Sequence, residues 1–389
     1  MKEKFLKILL NPKYIFGVYL IISVVTAISK YFRGDYAINN YLIFKNVFFN
    51  TIHQKNLFIH YPNLYFDLNH YGVFFSALIA PFAMMPDWLG ISLWNIANTF
   101  IFIYGIYKLP FSDAKKAIFG LLCLQEYITA ALSLQFNVAL TGLLLLSAVY
   151  IYERKEVKSV TAILVGVFVK IYGIVGLTQF FFIKNKTKFI LSGIGIAILF
   201  FVLPMVYSSP SFVIQCYSDW FQSIVEKNNE NQVLGNMQDI SLMGFVRRIL
   251  GDASISNLVF LGFGLPLFVL PYIRIKQYKH YAFQLMILAS TLLFLVLFSS
   301  SSESPTYIIA VVGVLLWFFL QKERTPLIIG LLVFVIIFTC FSTSDLFPKF
   351  VKENYIIKYS LKAVPCIVIW LRVTYELLTK DFEKNYSLN

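Results

Sequence analysis

Charge is scarce in this chain. Charged residues make up 14% of it and apolar residues 58%. That balance excludes an ordinary soluble globular domain, in which roughly a quarter of the residues are charged. Cysteine is scarce as well. Cys123, Cys216, Cys340 and Cys366 are scattered, with no metal-ligand spacing and no obvious pair. There is no P-loop, no metalloprotease helix of the His-Glu-x-x-His type and no Gly-x-Ser-x-Gly elbow, which argues against an ATP-driven pump. No internal repeat, low-complexity tract or soluble linker interrupts the sequence.

What the chain has is apolar length. Runs of roughly 17–25 apolar residues can cross a hydrocarbon core of about 30 Å. Candidate spans fall at 13–32, 89–108, 117–133, 138–152, 158–170, 171–183, 189–207, 256–273, 281–299, 305–320, 326–342 and 361–378. The reading is an all-α polytopic membrane protein, a bundle of about 12 transmembrane helices, forming a single integral-membrane domain over 1–389. The pieces 158–170 and 171–183 are short and read as a shallow hairpin or as one kinked element. Lys2, Lys4 and Lys7 precede the first run and resemble a signal anchor, expected to be retained as a helix. The net charge of +13 reads as lysine and arginine kept in cytoplasmic loops. No nucleic-acid partner is expected.

The segment 71–86 decides the topology. It is apolar but short, and Pro81 interrupts it. If it dips only into the outer leaflet, the basic loops 108–116, 153–158, 184–188 and 274–279 all face the cytoplasm, together with both termini. If it crosses, four short basic loops in succession are exported. The positive-inside rule favours the dipping segment. Outside then lie a first loop, 33–88, with amphipathic or re-entrant helices, and a large second loop, 208–255. In the first, Ile38, Tyr41, Leu42, Phe48 and Phe49 recur at helical spacing, with Asn39, Asn46 and Asn50 on other faces. That pattern suits a helix lying on the membrane surface.

Asp35 leads the candidate residues. It stands just beyond the first span, after Gly34, which permits a tight exit from a helix. A carboxylate partly desolvated by lipid and aromatics titrates higher than usual. It can take a proton from a sugar or lipid hydroxyl as that oxygen attacks. The plain alternative is a solvated helix-end charge beside Arg33. His60, Tyr61, Asn63, Tyr65, Asp67, Asn69 and His70 form the densest polar and aromatic cluster. It offers flat apolar faces for a sugar ring and hydrogen-bonding groups for its hydroxyls; interfacial anchoring by tyrosine explains it equally. Its histidines lack a diagnostic metal spacing, and nothing in the sequence calls for a metal or cofactor.

Glu126 lies within a span, and Gln135 and Asn137 sit at its outer edge. A charge inside the bilayer is costly, which makes it a site candidate. Lys170 stands between two short apolar pieces, placed to meet a lipid phosphate as a point charge or to snorkel to headgroups. Arg247 and Arg248, in the large external loop, read as phosphate binders or as headgroup contacts. Glu303, at the outer turn Ser301-Ser302-Glu303-Ser304-Pro305, is a candidate for the same cavity. Arg372 and Glu376 are spaced as a structural pair on the last helix.

Gly34-Asp35-Tyr36 with Asn39-Asn40-Tyr41, then Asn56-Leu57-Phe58, Tyr61-Pro62, Tyr65-Phe66-Asp67-Leu68, Ala80-Pro81-Phe82 and Leu93-Trp94, run in an order that resembles glycosyltransferase family 87, the polyprenol-phosphate-mannose-dependent mannosyltransferase-like proteins. Gln135-Phe136-Asn137, Lys170 and Glu303-Ser304-Pro305-Thr306-Tyr307 continue the likeness, which fades after 320. One departure is Tyr71-Gly72-Val73-Phe74, where such proteins often carry proline after the tyrosine.

The resemblance implies a GT-C fold with surface-lying helices in the first external loop and an outward-facing site. It implies a polyprenyl-phosphate sugar donor, mannose-like, and inversion at the anomeric carbon, with Asp35 as the base. The expectation is an inverting glycosyltransferase in the bacterial inner (plasma) membrane, with both termini cytoplasmic and the active site extracytoplasmic. It would act on a lipid or glycan acceptor among membrane lipids. Its rivals are a transporter or lipid flippase using Glu126 and Lys170, and a surface-glycan polymerase.

Overall fold

The structure, a computed structural model, describes residues 10–234 and 238–388. Lys2, Lys4 and Lys7 lie outside the described residues. Among those described the chain is all-helical, with a single isolated antiparallel bridge between Gln321 and Tyr386. Each apolar run becomes helix. Three helices, Pro12–Tyr31, Asp87–Lys108 and Lys186–Val206, are long and apolar enough to cross a membrane unaided. Others, such as Asn137–Tyr152 and Tyr281–Leu297, are shorter. Helix length therefore does not establish the about 12 crossings read from hydropathy.

The described chain forms two bodies, one of residues 13–108 and 128–226, the other of residues 10–12, 109–127, 227–234 and 238–388. In the first body, Asp87–Lys108 packs on Asn137–Tyr152 through two glycines. A Cβ on Gly142 would stand 2.5 Å from the Ile101 carbonyl oxygen, and one on Gly105 would stand 2.9 Å from the Gly142 carbonyl oxygen. Small residues let apolar helices approach this closely where no hydrophobic driving force separates them from lipid. Asn95 Nδ2 ties in the first long helix, donating to the Ser23 carbonyl at 2.9 Å and to Thr26 Oγ1 at 3.0 Å.

The pieces 158–170 and 171–183 form a hairpin. Glu156–Val169 is α-helical and Ile171–Phe182 is a 3-10 helix of 12 residues, long for that geometry. With three residues per turn, positions three apart eclipse one another. Gly173, Gly176 and Gln179 are the buried residues of this helix, so one straight edge faces its partner. A Cβ on Gly173 would fall 2.3 Å from the Gly166 carbonyl carbon and from the Val167 nitrogen. Gly173→Val should therefore cost roughly 1–3 kcal/mol of stability. Thermal unfolding in detergent should show the drop, while Gly195→Val, with nothing within 4 Å of its added Cβ, should leave the midpoint in place.

One expectation for the segment 33–88 needs revision. The helix Asn39–Ile52 is present, but it buries Tyr41, Ile43, Phe44, Val47, Asn50 and Thr51. Leu42, Phe48 and Phe49 are only half-buried. The inward face is set by tertiary ties. Asn39 Oδ1 accepts from the Phe66 amide at 3.0 Å, and Tyr41 donates to the Phe82 carbonyl at 2.9 Å. The segment 71–86 contains a helix of 9 residues, Phe75–Ala83, roughly 13 Å long at 1.5 Å per residue and too short to cross alone.

In the second body, Tyr307–Leu320 is buried on every side, as expected of a helix apolar all round. A Cβ on Gly313 would lie 2.9 Å from the Ala289 carbonyl oxygen, so Tyr281–Leu297 runs close against it. The last helix, Val364–Thr379, is tied in by Glu376. This carboxylate accepts from Arg372 at 2.6 Å, Trp317 at 3.0 Å, Gln321 at 2.9 Å and Tyr386 at 2.9 Å. Arg372 and Glu376 are thus a structural pair within a larger network. The stretch read as a long loop, 208–255, is largely helical, with Pro210–Asn231 and Leu242–Leu250.

Candidate functional site

Gly34 has φ +84°, in the left-handed region that glycine enters without a steric cost. The chain can therefore leave the first long helix and turn at once into the short 3-10 helix Asp35–Ile38. Asp35 is exposed at its first position. Tyr36 beside it is 80% exposed and stacks on Phe66, with centroids 4.9 Å apart and planes at 18°. A carboxylate next to a flat aromatic pair is a suitable rim for a sugar. The expected desolvation of Asp35 does not come from protein, since both it and Tyr36 stand open; it would have to come from lipid or substrate.

The loop that carries the polar and aromatic cluster is pinned at several points. Tyr61 donates to the Asn56 carbonyl at 2.8 Å, and Asn56 Oδ1 accepts from the Phe58 amide at 2.7 Å. Burial pushes the Tyr61 and Tyr65 hydroxyls above their ordinary range, so both remain protonated donors at neutral pH. Asp67 accepts from the Leu68 amide at 2.8 Å. His60 and Asn63 are exposed and point no chemistry inward. His70 is held from both ends: its Nδ1 lies 2.9 Å from Ser223 Oγ, and its carbonyl accepts from Trp220 Nε1 at 2.8 Å. Gly72 accounts for the missing proline. A Cβ there would sit 2.5 Å from the Phe168 carbonyl oxygen, and its amide donates to the Val169 carbonyl at 3.3 Å, a bond proline cannot make.

That contact leads to Lys170, at the turn of the hairpin, with extended backbone. Its Nζ donates to Asn137 Oδ1 at 2.9 Å, and Asn137 Nδ2 donates to Gln135 Oε1 at 2.8 Å. The ammonium also lies 4.8 Å from the centre of the Tyr172 ring. Three sequence candidates, Gln135, Asn137 and Lys170, are thus joined in one relay that fixes a cation. The relay is linked back toward Asp35. Asn40 donates to the Ser133 carbonyl at 2.7 Å, Trp94 to the Leu134 carbonyl at 2.9 Å, and the Phe136 amide to the Tyr71 hydroxyl at 3.3 Å. Trp220 was not singled out from the sequence, and Asn40 and Trp94 entered it only as parts of the motifs Asn39-Asn40-Tyr41 and Leu93-Trp94. Their polar atoms carry no pattern, and only the fold shows which carbonyl each meets.

Glu126, Arg247, Arg248 and Glu303 belong to the second body. Glu126 is fully buried and pairs with Lys362 at 2.9 Å, itself 1% exposed. Lys362 also donates to Ser304 at 2.8 Å and faces the Tyr307 ring at 5.1 Å. Ser304 and Tyr307 of the Glu303-to-Tyr307 stretch thus form a socket for a lysine the sequence reading passed over. Its one signal was a lone cation in an apolar run, which needs a partner. Glu303 starts the following turn, its amide donating to Thr306 Oγ1 at 3.3 Å.

Arg247 is 1% exposed. All three of its nitrogens are engaged, by Asp239 at 3.0 Å, the Ile255 carbonyl at 2.9 Å and Asn257. Burial pushes the Asp239 carboxyl up, against the hydrogen bond from Ser241 and the charge of Arg247. Arg247 therefore serves as a strut of its loop, and Arg248 beside it is half-buried. Among the described residues no three of His, Cys, Asp or Glu gather closely enough to share an ion.

Glycosyltransferase family 87 matches the chain over residues 69–300, more than half its length. The matched stretch contains His70, Glu126, Gln135, Asn137, Lys170, Arg247 and Arg248. Asp35, His60, Tyr61, Asn63 and Asp67 precede it, and Glu303 follows it. Comparison with curated proteins gives no match. The relay at Lys170, the glycine that replaces proline at 72 and the buried strut at Arg247 all fall within the match, and the chain belongs to glycosyltransferase family 87, a GT-C-type family of glycosyltransferases, here built on apolar membrane helices.

Proposed function

We propose that this glycosyltransferase is an inverting enzyme that takes a mannose-like sugar from a polyprenyl-phosphate donor and passes it to a lipid or glycan hydroxyl at the extracytoplasmic face. The observation that carries this reading is the cation at Lys170, oriented by Asn137 and Gln135 before any substrate arrives. As the bond between the anomeric carbon and the phosphate oxygen breaks, negative charge collects on the leaving polyprenyl phosphate. A cation already in place lowers that barrier, because no reorganisation is needed at the moment of reaction. Asp35 takes the proton of the acceptor hydroxyl, whose oxygen attacks the anomeric carbon from the side opposite the phosphate. The Tyr36 and Phe66 pair offers the ring a flat face.

The test is transfer of labelled sugar by the full chain in vesicles, offered either polyprenyl-phosphate mannose or a nucleotide sugar. Transfer from the lipid donor alone is expected. Lys170→Met should lower the rate by about 10²–10³-fold, and Lys170→Arg should restore part of it. Transfer from the nucleotide sugar alone, or an unchanged rate for Lys170→Met, would overturn the assignment.

A further inference from the structure

A polar cavity lies in the second body, at the C-terminal end of Val364–Thr379 and the start of Pro326–Val335. Its volume is about 240 Å³. Lys322, Arg372, Lys380 and Lys384 line it, against the carboxylates of Glu323 and Glu376. Glu376 is already committed to Arg372, Trp317, Gln321 and Tyr386. Among the described residues no ion pair uses Lys322, Lys380 or Lys384.

The walls are built rather than incidental. The Lys322 amide donates to the Asn385 carbonyl at 3.3 Å and the Ser387 amide to the Leu320 carbonyl at 3.0 Å, which holds the C-terminal segment across the cavity. Arg274 donates to the Leu377 and Lys380 carbonyls at 2.7 and 2.8 Å. The negative pole of that helix end is therefore answered by Arg274. Four cations, Lys322, Arg372, Lys380 and Lys384, then stand with two carboxylates, Glu323 and Glu376, around the space, and although Asp381 lies close enough to feel Lys384, the lining keeps a positive balance.

We propose that this cavity binds a phosphate-bearing anion, either an anionic phospholipid headgroup or free phosphate. Basic pockets between membrane helices suit such headgroups. The site is independent of the transfer chemistry.

Native mass spectrometry of the full chain in detergent tests it, with phosphatidylglycerol, phosphatidylcholine and inorganic phosphate as separate probes. Preferential retention of phosphatidylglycerol would mark a lipid site, and retention of phosphate alone would mark a free-anion site. In either case Lys322→Gln, Lys380→Gln and Lys384→Gln together should weaken binding at least tenfold, while Lys276→Gln with Lys279→Gln should not. Should the triple variant fail to fold, Lys380→Gln and Lys384→Gln singly give the graded form of the same result. Equal retention of both lipids with no phosphate bound, or binding unchanged in the lysine variants, would overturn the proposal.

Discussion

Asparagine at position 35 is expected to cut sugar transfer by about 10²–10⁴-fold, the usual contribution of a positioned general base. The change keeps the shape of the side chain and removes its ability to take a proton. Asp35 is exposed and begins a short turn whose geometry is set by Gly34, so thermal stability should stay within about 0.5 kcal/mol of the parent, as for ordinary surface substitutions. Initial rates in vesicles, with the unfolding midpoint as a control, separate the two effects. Lost rate with an unchanged midpoint and an unchanged apparent affinity for the donor places Asp35 in the chemical step. A full rate would move the base elsewhere, and the polar loop around Asp67 and His70 would be the next place to look.

The largest stability effect is expected at Glu126 and Lys362. Removing one partner of a buried ion pair strands the other charge and costs about 3–5 kcal/mol, whereas replacing both with apolar groups of similar volume is often neutral. Glu126→Leu or Lys362→Met alone should lower the unfolding midpoint sharply, and the double variant should regain most of it. The same variants separate two roles for Glu126. If it is a strut, the double variant keeps its transfer rate. If it meets substrate, the double variant is stable and slow.

Helix positions were largely legible, because unbroken apolar runs leave a chain in lipid few options other than helix. The runs 138–152, 281–299 and 305–320 emerge as helices with only small shifts at their ends. The 3-10 geometry of Ile171–Phe182 was not foreseen, although its signal was present. Gly173, Gly176 and Gln179 recur every third residue, a period that fits neither an α-helix nor a strand. The inward face of Asn39–Ile52 was misread because the asparagines were set apart from the apolar stripe, whereas Asn39 and Asn50 are buried and Asn39 Oδ1 accepts from the Phe66 amide.

Of the site, the Gln135, Asn137 and Lys170 relay was visible as separate polar residues near apolar ends, but not as a connected set. Arg247 and Glu126 showed why charge in apolar surroundings is ambiguous. Catalytic charge and structural charge look the same until the partners are known: Lys362 stands 236 residues from Glu126, and Asp239, only eight residues before Arg247, carries no pattern that marks it as its partner.

The hairpin that ends at Lys170 has a further consequence. Its arms of 14 and 12 residues are roughly 21 Å and 24 Å long at their respective rises, short of the about 30 Å of hydrocarbon. One way a bilayer accommodates so short an element is to thin around it. Under the proposed function, such a dimple would bring the donor's phosphate to the depth of the lysine without its leaving its leaflet, and the host membrane's thickness would become part of the enzyme's fit to its donor.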